Sequence, residues 1–296
     1  MKELEFINYI TKKFRSKHPV IEGIGDDAAV VEYTRDKYLL FTCDMIIEGT
    51  HFTKAAKPRE IGYKAIAVNI SDIAAMGGTP KFALVSAGIP RAKGTKFLKE
   101  ITKGAEGICK AFGVSIIGGD TNASSRTALS VTLIGEVRKK YVARRSGAKV
   151  GDLLFVTGAL GEGKSKHLNF VPRVKVAKAL VENFKISSMM DISDGLAMDL
   201  GRIAAKSKVG ACVYESLIPL SKKSEPLPGA IFSGEDFELL FTASVAESRK
   251  IIKRMLVNNA LSVTLIGEIT KRSSGVKLIK ENGRAITLKP EGFRHL

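Results

Sequence analysis

Short apolar runs and amphipathic segments alternate along this chain of 296 residues, and glycine or proline separates most of them. This alternation is typical of sheets covered by helices. Between the apolar runs of the first half, long helices are predicted from about Pro58 to Gly77 and from about Lys93 to Phe112. The strands themselves are predicted over residues 28–33, 38–44, 81–90, 114–119 and 127–137.

The second half continues in the same style and ends in a hairpin with its turn at Asn282-Gly283. Further strands are predicted over 152–158, 188–191, 210–216, 237–243 and 262–270, and helices over 173–184 and 194–208. The N-terminal segment predicts an amphipathic helix whose apolar side chains point inward. These side chains are Phe6, Ile7, Ile10 and Phe14.

The hexapeptide Val-Thr-Leu-Ile-Gly-Glu occurs twice, at 131–136 and at 263–268. A glycine-acidic element precedes each copy, GGD at 118–120 and GED at 234–236. An ancient duplication accounts for this repeat, and chance similarity between two strands is the alternative. We expect two domains, an N-terminal one over 1–137 and a C-terminal one over 151–296, joined by a linker at 138–150.

A net charge of +17 favours an anionic partner such as nucleic acid, phosphates or a membrane surface, although a lysine-rich solvated surface explains it equally well. The densest basic stretch, RKKYVARR, contains one aromatic residue and predicts a linker rather than a nucleic-acid-binding surface. No apolar run approaches the ~20 residues of a membrane span. The three cysteines have no metal or redox spacing, and the N-terminus has no signal-peptide centre. We therefore expect a cytoplasmic protein with no membrane or nucleic-acid partner.

The run GALGEGKS at 158–165 matches the written pattern of a P-loop, the turn that binds nucleotide phosphates. A true P-loop continues into a long helix whose N-terminus faces the phosphates. Here Asn169 and Pro172 end any helix within two turns. We therefore expect the match to be accidental and Lys164 to have no role in ATP binding.

Carboxylates stand where apolar strands or glycine turns end, and one lies inside an apolar helix. The helical one, Asp72, follows Asn69 by three residues and shares its face. A charge in a half-buried helix is costly unless it is paired or bound to metal. Strand ends at one sheet edge converge, and oxygen ligands without His or Cys suit Mg²⁺ bridged to phosphates. The other carboxylates are Asp26, Asp27, Asp44, Asp120, Asp191 and Asp194.

Some of these residues also have a purely structural interpretation. Ser193 can cap the helix predicted at 194, where Asp194 would favour the helix dipole. Asp26 or Asp27 can form a turn, and the sequence leaves open whether Asp26 binds metal beside Asp27.

A series of motifs resembles, in order, the motifs of thiamine-monophosphate kinases. That family shares a superfamily with aminoimidazole ribonucleotide synthetase and selenophosphate synthetase. The resemblance spans about 21–241 and the terminal GF of PEGFRHL, and NISDIAAMGG together with DISDGL is diagnostic. The motifs are GIGDDAAV, TCDMIIEGTHF, YKAIAVNISDIAAMGGTP, IIGGDT, RRSGAKVGD, VTGALG, MMDISDGLAMDL and SGEDFELLFT.

Members of that family transfer phosphate from ATP to thiamine monophosphate, directly and in line on several Mg²⁺ ions, giving thiamine diphosphate. They are homodimers in which strands of both N-terminal domains close a barrel. The resemblance therefore implies an α+β protein of two α/β-type domains. It also implies that the C-terminal domain has a mixed sheet flanked by helices.

The resemblance also implies residue roles, with Asp44, Asp120 and Arg145 as the catalytic residues. It assigns the ATP contacts to Gly119, Asp120, Arg145 and Ser193, and the thiamine-side contacts to His51, Glu235 and Phe293. It assigns Mg²⁺ to Asp27, Thr42, Cys43 (through its carbonyl), Asp44, Asp72, Asp120, Asp191 and Asp194.

The chain departs from the family pattern at three places. Cys43 stands where Thr is usual, Ser233 replaces a common Gly, and the segment after VTGALG is short. No functional residue is assigned in that segment. Several assigned residues keep structural alternatives, because a lone His51 is often structural, Phe293 can fill a core and Glu235 can close a turn.

The implied chemistry needs cations more than a general base. The acceptor is a phosphate monoester with a second pKa near 6, so it is already an anionic nucleophile at neutral pH. Repulsion between two polyanions is the obstacle, and positioned cations overcome it.

Two other functions remain as alternatives. One is another ATP-using member of the superfamily, although the N-terminal Cys/Lys loop of selenophosphate synthetases is missing from the sequence. The other is an RNA-binding or scaffold protein that uses the positive surface, in which the ordered aspartates would have no role.

Overall fold

Two mixed sheets, one from each half of the chain, organise the protein. The structure is a computed structural model, and it describes residues 3–221, 227–257 and 262–292. The N-terminal sheet has the strand order β1-β2-β3-β6-β4-β5, with β4 and β5 parallel and the other pairs antiparallel. Its elements are α1 (Glu3–Lys13), β1 (Val20–Glu22), β2 (Ala29–Glu32), β3 (Lys37–Ile47), α2 (Pro58–Ala75), β4 (Thr79–Ile89), α3 (Gly94–Phe112), β5 (Ser115–Ala123) and β6 (Ala128–Arg138).

The C-terminal sheet has the order β13-β12-β9-β11-β7-β10-β8, and β12 and β9 form its parallel pair. Its strands are β7 (Leu153–Thr157), β8 (Ile186–Asp191), β9 (Gly210–Tyr214), β10 (Leu239–Ala243), β11 (Val263–Thr270), β12 (Val276–Ile279) and β13 (Ala285–Thr287). The accompanying helices are α4 (Gly163–Lys166), α5 (Val174–Asn183), α6 (Leu196–Ser207), α7 (Leu227–Phe232) and α8 (Val245–Val257). The predicted mixed sheet and closing hairpin are confirmed. Over the part of the chain described, no helix is both long and apolar enough to cross a membrane.

Helix α2 is buried along most of its length and contacts both sheets. It packs on β3, β6 and α3, and it also contacts α5 and β8 of the C-terminal half. Gly62 and Gly104 permit the close approach to α3, because a Cβ at either position would overlap a carbonyl oxygen of the opposite helix. The sequence YKAIAVNISDIAA therefore carries its polar side chains into the space between the two halves.

The face of the N-terminal sheet opposite α2 and α3 is exposed and partly apolar. Phe82 and Leu84 on β4 are 45% and 41% exposed, and Met45 on β3 is 51% exposed. Strand β5 is the edge of the sheet, and Ile116 and Ile117 on it are also exposed. Phe82, Leu84 and Met45 are thus open to solvent over the described residues.

Two sequence expectations need correction. Phe6 and Phe14 do not point inward but are 45% and 65% exposed, because α1 lies at the rim of a cavity and contributes to none of the buried core clusters in the described ranges. The helix predicted from 194 begins at Leu196, because Gly195 has a φ of 112°. The Asp199 carboxylate accepts hydrogen bonds from the N–H groups before this helix, and Ser193 does not cap it.

Candidate functional site

A cavity of about 1090 Å³ lies between the two halves, and most of the predicted site residues line it. Its walls come from the turn before β2, from β3, α2 and α6, and from the loop before β10. Gly119, Asp120 and Asp191 are not among the lining residues, and Phe293 lies outside the described residues. The predicted residues that line it are Asp27, Thr42, Cys43, Asp44, His51, Asp72, Arg145, Ser193, Asp194 and Glu235.

Three carboxylates meet beside this cavity, where Asp27 and Asp72 line its wall and Asp191 is buried. Oxygen atoms of Asp27, Asp72 and Asp191 all lie within 4.8 Å of one another. They come from the turn before β2, from α2 and from the end of β8, so the three segments converge only in the folded chain. Thr42 donates a hydrogen bond to Asp72, and Ser71 donates one of 2.5 Å to Asp191.

The cluster is electrostatically unfavourable without a cation. Burial raises the pKa of Asp72 well above its ordinary value, and the charges of Asp44 and Asp191 add to the effect. Burial and Asp27 raise the pKa of Asp191 in the same way. In addition, Asp27 Oδ2 is buried without a hydrogen-bond partner among the described residues. Converging oxygen donors with one unsatisfied atom fit a divalent cation such as Mg²⁺.

Asp26 shapes the turn rather than joining the carboxylate cluster. Its carboxylate accepts the N–H of Asp27 at 3.0 Å and the N–H of Arg145 at 3.2 Å from each of its oxygens. Burial and the neighbouring Asp27 raise the pKa of Asp26 to about 7. The Arg145 guanidinium donates to Asp27 Oδ1 at 2.7 Å. Although burial opposes its charge, Asp27 and Asp26 together raise the pKa of Arg145.

Asp44 and Asp194 line the same cavity, and each has a supporting residue that sequence reasoning missed. The side-chain oxygen of Asn69 accepts the N–H of Asp44 at 3.1 Å. Arg202 of α6 pairs with Asp194 and, at 2.6 Å, with Asp199. The spacing of three residues between Asp199 and Arg202 was a usable signal, because residues at that spacing are neighbours on a helix. Cys43 is exposed, and its thiol lies 3.4 Å from the Thr132 hydroxyl.

His51 and Glu235 occupy the same end of the cavity. Glu235 has a φ of 72°, and its N–H donates to the Ser193 carbonyl at 2.7 Å. His51 Nδ1 accepts the N–H of Ile47 at 3.1 Å, which orients the imidazole. The ammonium of Lys64 joins them, since it donates to the His51 carbonyl at 2.8 Å and pairs with Glu235. Sequence reasoning missed Lys64, although a lysine inside the apolar helix α2 was a signal equal to that of Asp72.

Asp120 is separated from the carboxylate cluster within the chain. The strand register aligns Asp44 with Val131, Val131 with Val85, and Val85 with Gly119. Three strand spacings of about 4.8 Å therefore place β5 roughly 14 Å from Asp44. The Asp120 carboxylate is exposed and accepts the N–H of Thr121 at 2.8 Å and the side chain of Asn122 at 2.6 Å.

The P-loop-like turn is closed by a carboxylate of the protein. The N–H groups of Gly161, Glu162 and Gly163 each donate to Asp236 Oδ1 at 3.0 Å. The helix that follows, α4, has four residues. The position at which a P-loop would hold phosphate is thus filled by Asp236, which agrees with the expectation that the sequence match is accidental.

Two protein-family models match the chain, and together they define its class. The family model for the AIR synthase related protein, N-terminal domain, matches residues 25–137. The family model for the C-terminal domain of the same proteins matches residues 146–279. A hydrogenase maturation protein HypE solved in complex with ATP has a similar fold, with a TM-score of 0.71 at 18% identity over 89% of this chain and 87% of that one.

Closer relatives narrow the class. The chain is 35% identical to the thiamine-monophosphate kinase of Buchnera aphidicola (subspecies Acyrthosiphon pisum), over 99% of this chain and 98% of that one. It is 34% identical to the Bacillus subtilis thiamine-monophosphate kinase, over 100% and 99%. A structure of AaThiL complexed with AMPPCP and TMP superposes with a TM-score of 0.86 at 31% identity, over 100% and 97%. The chain belongs to the thiamine-monophosphate kinase family, as the motif order predicted.

Proposed function

We propose that this protein transfers the γ-phosphate of ATP to thiamine monophosphate and forms thiamine diphosphate, as a step of thiamine diphosphate biosynthesis. The observation that carries the proposal is the largely buried cluster of Asp27, Asp72 and Asp191 beside a cavity of about 1090 Å³. The full-length likeness to thiamine-monophosphate kinases, and to AaThiL with AMPPCP and TMP, supports the choice of substrates.

The reaction is a direct in-line transfer. A phosphate oxygen of thiamine monophosphate attacks the γ-phosphorus of ATP, a new P–O bond forms, and the bond to the β–γ bridging oxygen breaks as ADP leaves. The attacking phosphate has a second pKa near 6 and is an anion at neutral pH. No general base is needed, so the protein's task is to position the substrates and offset their charge.

Asp27, Asp72 and Asp191 would hold Mg²⁺, and further Mg²⁺ contacts fall to residues around them. When bound, Mg²⁺ offsets the charge of the phosphates and of the transition state. Arg145 keeps Asp27 in place through its 2.7 Å hydrogen bond, and Arg202 does the same for Asp194. The further Mg²⁺ contacts are Thr42, the Cys43 carbonyl, Asp44, Asp120 and Asp194.

The two substrates would occupy neighbouring parts of the cavity. Arg145 and Ser193 line the cavity and would contact ATP, together with Gly119 and Asp120, which do not line it. His51 and Glu235 also line the cavity and would contact the thiamine half. Phe293 would stack on the aminopyrimidine ring, an aromatic contact worth about 1 kcal/mol. Asp44, Asp120 and Arg145 would be the catalytic residues.

The protein would act as a homodimer, in which strands of both N-terminal domains close a barrel. Two features of the N-terminal sheet support this assembly: an exposed apolar face with Phe82 and Leu84, and the open edge of β5. The separation of Asp120 from Asp44 within one chain is a third. In such a dimer, each site would combine the carboxylate cluster of one protomer with Asp120 of the other.

Mixed dimers test this shared site. Asp120→Asn and Asp72→Asn should each be nearly inactive alone. After subunit exchange in equal amounts, half of the dimers contain both variants and have one intact site of two, so activity should return to about a quarter of wild type. No recovery despite exchange, or a monomer in sedimentation, would contradict the shared site.

The domain limits and the location complete the proposal. We place the N-terminal domain at 1–137, the linker at 138–150 and the C-terminal domain at 151–296. The limits of the two family models, 137 and 146, support this division.

A cytoplasmic location is supported by the three free cysteines, because a reducing compartment keeps thiols unpaired.

An assay that couples ADP release to a colour change tests the function. With excess Mg²⁺, the purified protein should release ADP with thiamine monophosphate but not with thiamine or hydroxymethylpyrimidine phosphate. Mass analysis of the product should show thiamine diphosphate. Turnover of a different phosphate or a carboxylate acceptor, with none of thiamine monophosphate, would exclude the proposal in favour of another ATP-using member of the superfamily.

A further inference from the structure

Lys64 is a buried cation that the proposed phosphoryl transfer does not use. Its side chain is 1% exposed, yet it lies within the apolar helix α2 and reaches the cavity between the halves. The ammonium has three donors, and three acceptors surround it. They are the His51 carbonyl at 2.8 Å, His167 Nδ1 at 2.7 Å and Glu235 Oε1.

The three acceptors come from segments that are distant in the sequence. His51 follows β3, Glu235 precedes β10, and His167 directly follows α4 in the segment that departs from the family pattern. His51 and Glu235 are the residues we assign to the thiamine end of the substrate. One ammonium therefore links both assigned contacts and joins the N-terminal half to the C-terminal half.

His167 is held against Lys64 by the segment around it. The Tyr63 hydroxyl donates to the Phe170 carbonyl at 2.8 Å, and Asn169 donates to Glu60 at 3.3 Å. The Phe170 ring stacks on Phe237, with 3.9 Å between ring centroids. The segment thus packs on α2 from one side and on the loop after Glu235 from the other.

The protonation of His167 and Lys64 determines which of them donates the hydrogen bond between them. Burial and Lys64 lower the pKa of His167, whereas Glu235 and Glu60 oppose the shift. His167 Nδ1 lies 2.7 Å from the Lys64 ammonium and 3.1 Å from Glu235 Oε2. In the neutral tautomer that carries its proton on Nε2, Nδ1 accepts the Lys64 hydrogen. Burial also lowers the pKa of Lys64, and Glu235 counteracts this. A buried ion pair often contributes little to the free energy of folding. Stability alone therefore does not explain a lysine at position 64.

We propose that Lys64 is a positioning residue for the thiamine end of the substrate. It fixes the Glu235 carboxylate and the His51 main chain in the cavity wall, and His167 completes the set of three groups around the ammonium. The proposal rests on the proposed kinase activity. It predicts an effect on the binding of thiamine monophosphate that is separate from the binding of ATP.

The test compares Michaelis constants for the two substrates in Lys64→Met. This change keeps the length of the side chain and removes the charge. The KM for thiamine monophosphate should rise about 10- to 100-fold, as for loss of a hydrogen bond to a charged group, while the KM for ATP stays within about twofold. Lys103→Met is the matched control, because Lys103 is 57% exposed and pairs with Glu100 at 2.7 Å on α3; both constants should be unchanged.

A double-mutant cycle distinguishes positioning from a general structural role. Because Lys64 acts partly through Glu235, adding Lys64→Met to Glu235→Gln should raise the KM for thiamine monophosphate by a smaller factor than adding it to wild type. Independent effects would multiply and would overturn the proposal. An equal rise in both Michaelis constants with a lower melting temperature would also overturn it.

His167 provides a second route if Lys64→Met does not fold. His167→Leu removes the acceptor and should raise the KM for thiamine monophosphate about three- to tenfold, as for loss of a neutral hydrogen bond. His167→Gln keeps an acceptor and should show a smaller rise. Equal constants in wild type and His167→Leu would overturn the proposal while the kinase activity stands. Wild-type protein without thiamine monophosphate turnover would instead overturn the kinase function, and this role with it.

Discussion

Asp120 and Asp236 close two similar glycine-acidic elements, GGD and GED, yet the fold uses them in opposite ways. Each element lies upstream of a strand that contains Val-Thr-Leu-Ile-Gly-Glu. Asp120 lies on β5 and the next strand is β6, whereas β10 and α8 lie between Asp236 and β11. Asp120 lies exposed on an edge strand, whereas Asp236 is half-buried and accepts three backbone N–H groups. One carboxylate remains available to a ligand, and the other is satisfied by the chain.

The two sheets also differ in how far their faces are buried. Strand β10 of the C-terminal sheet is buried on both faces, whereas β4 of the N-terminal sheet has one exposed, partly apolar face. The C-terminal half thus completes its own core, and the N-terminal half presents surface that an assembly can cover. The repeated hexapeptide Val-Thr-Leu-Ile-Gly-Glu therefore predicts a strand in each half. It does not predict whether the acidic residue upstream of that strand is exposed or buried.

The largest expected effect separates the two aspartates by activity. Asp120→Asn, like Asp44→Asn, should lower kcat by at least about 100-fold, because each weakens the placement of charge in the transition state. Asp120→Asn should leave the melting temperature unchanged, since its carboxylate is exposed. Steady-state kinetics at saturating Mg²⁺ and a thermal melt test this, and near-wild-type rates would contradict the assignment.

Asp236→Ala should show the reverse pattern. It leaves the N–H groups of Gly161, Glu162 and Gly163 without their acceptor, so the free energy of unfolding should fall by about 1–3 kcal/mol. Urea unfolding of the ligand-free protein measures this loss. If Asp236→Ala unfolded like wild type but lost its turnover, Asp236 would belong with Asp120.

A smaller effect is expected on the melting temperature of the metal-free protein, because the carboxylates of Asp27, Asp72 and Asp191 lie close together. Burial and nearby carboxylates raise the pKa of Asp72 well above 3.8, so the native state keeps a proton that the unfolded chain loses. That contribution to stability is complete below the unfolded pKa and is lost as the pH rises through the native pKa. In metal-free protein, Asp72→Asn should therefore melt about 2–4 °C above wild type at pH 8, with a smaller difference at pH 5.

Mg²⁺ provides the control for this prediction. It should raise the melting temperature of wild type and of Asp236→Ala, because both retain the cluster of Asp27, Asp72 and Asp191. It should not raise that of Asp72→Asn. A variant that still responds to Mg²⁺ as wild type does would exclude Asp72 as a ligand.

The smallest expected effect is at the P-loop-like turn. Lys164→Ala should leave kcat and the KM for ATP unchanged, because Asp236 already occupies the turn's backbone donors. Initial rates across ATP concentrations test it. Loss of ATP use would restore the P-loop interpretation and would remove the contrast between Asp236 and Asp120.

Much of the fold could be predicted from local pattern. Strands β3, β4 and β6 and helices α2 and α3 follow apolar periodicity and glycine or proline boundaries closely. The N-terminal helix was placed correctly, but Phe6 and Phe14 were wrongly expected to be buried, because periodicity defines a face and not what covers it. The start of α6 was predicted at 194 but lies at Leu196. The helix is capped by Asp199, five residues after Asp194, and not by Ser193 at its predicted start.

The sequence by itself determined the alternating strands and helices, the family, and the carboxylates available to bind a cation. Motif order and residue type carry that information, because both are local properties of the chain. Only the tertiary structure decided which carboxylates meet. Asp27, Asp72 and Asp191 converge from three segments, Asp120 lies three strands away, and Asp236 turns inward to the GALGEG turn. Long-range strand register and burial decide these distances, and neither is encoded in any short motif.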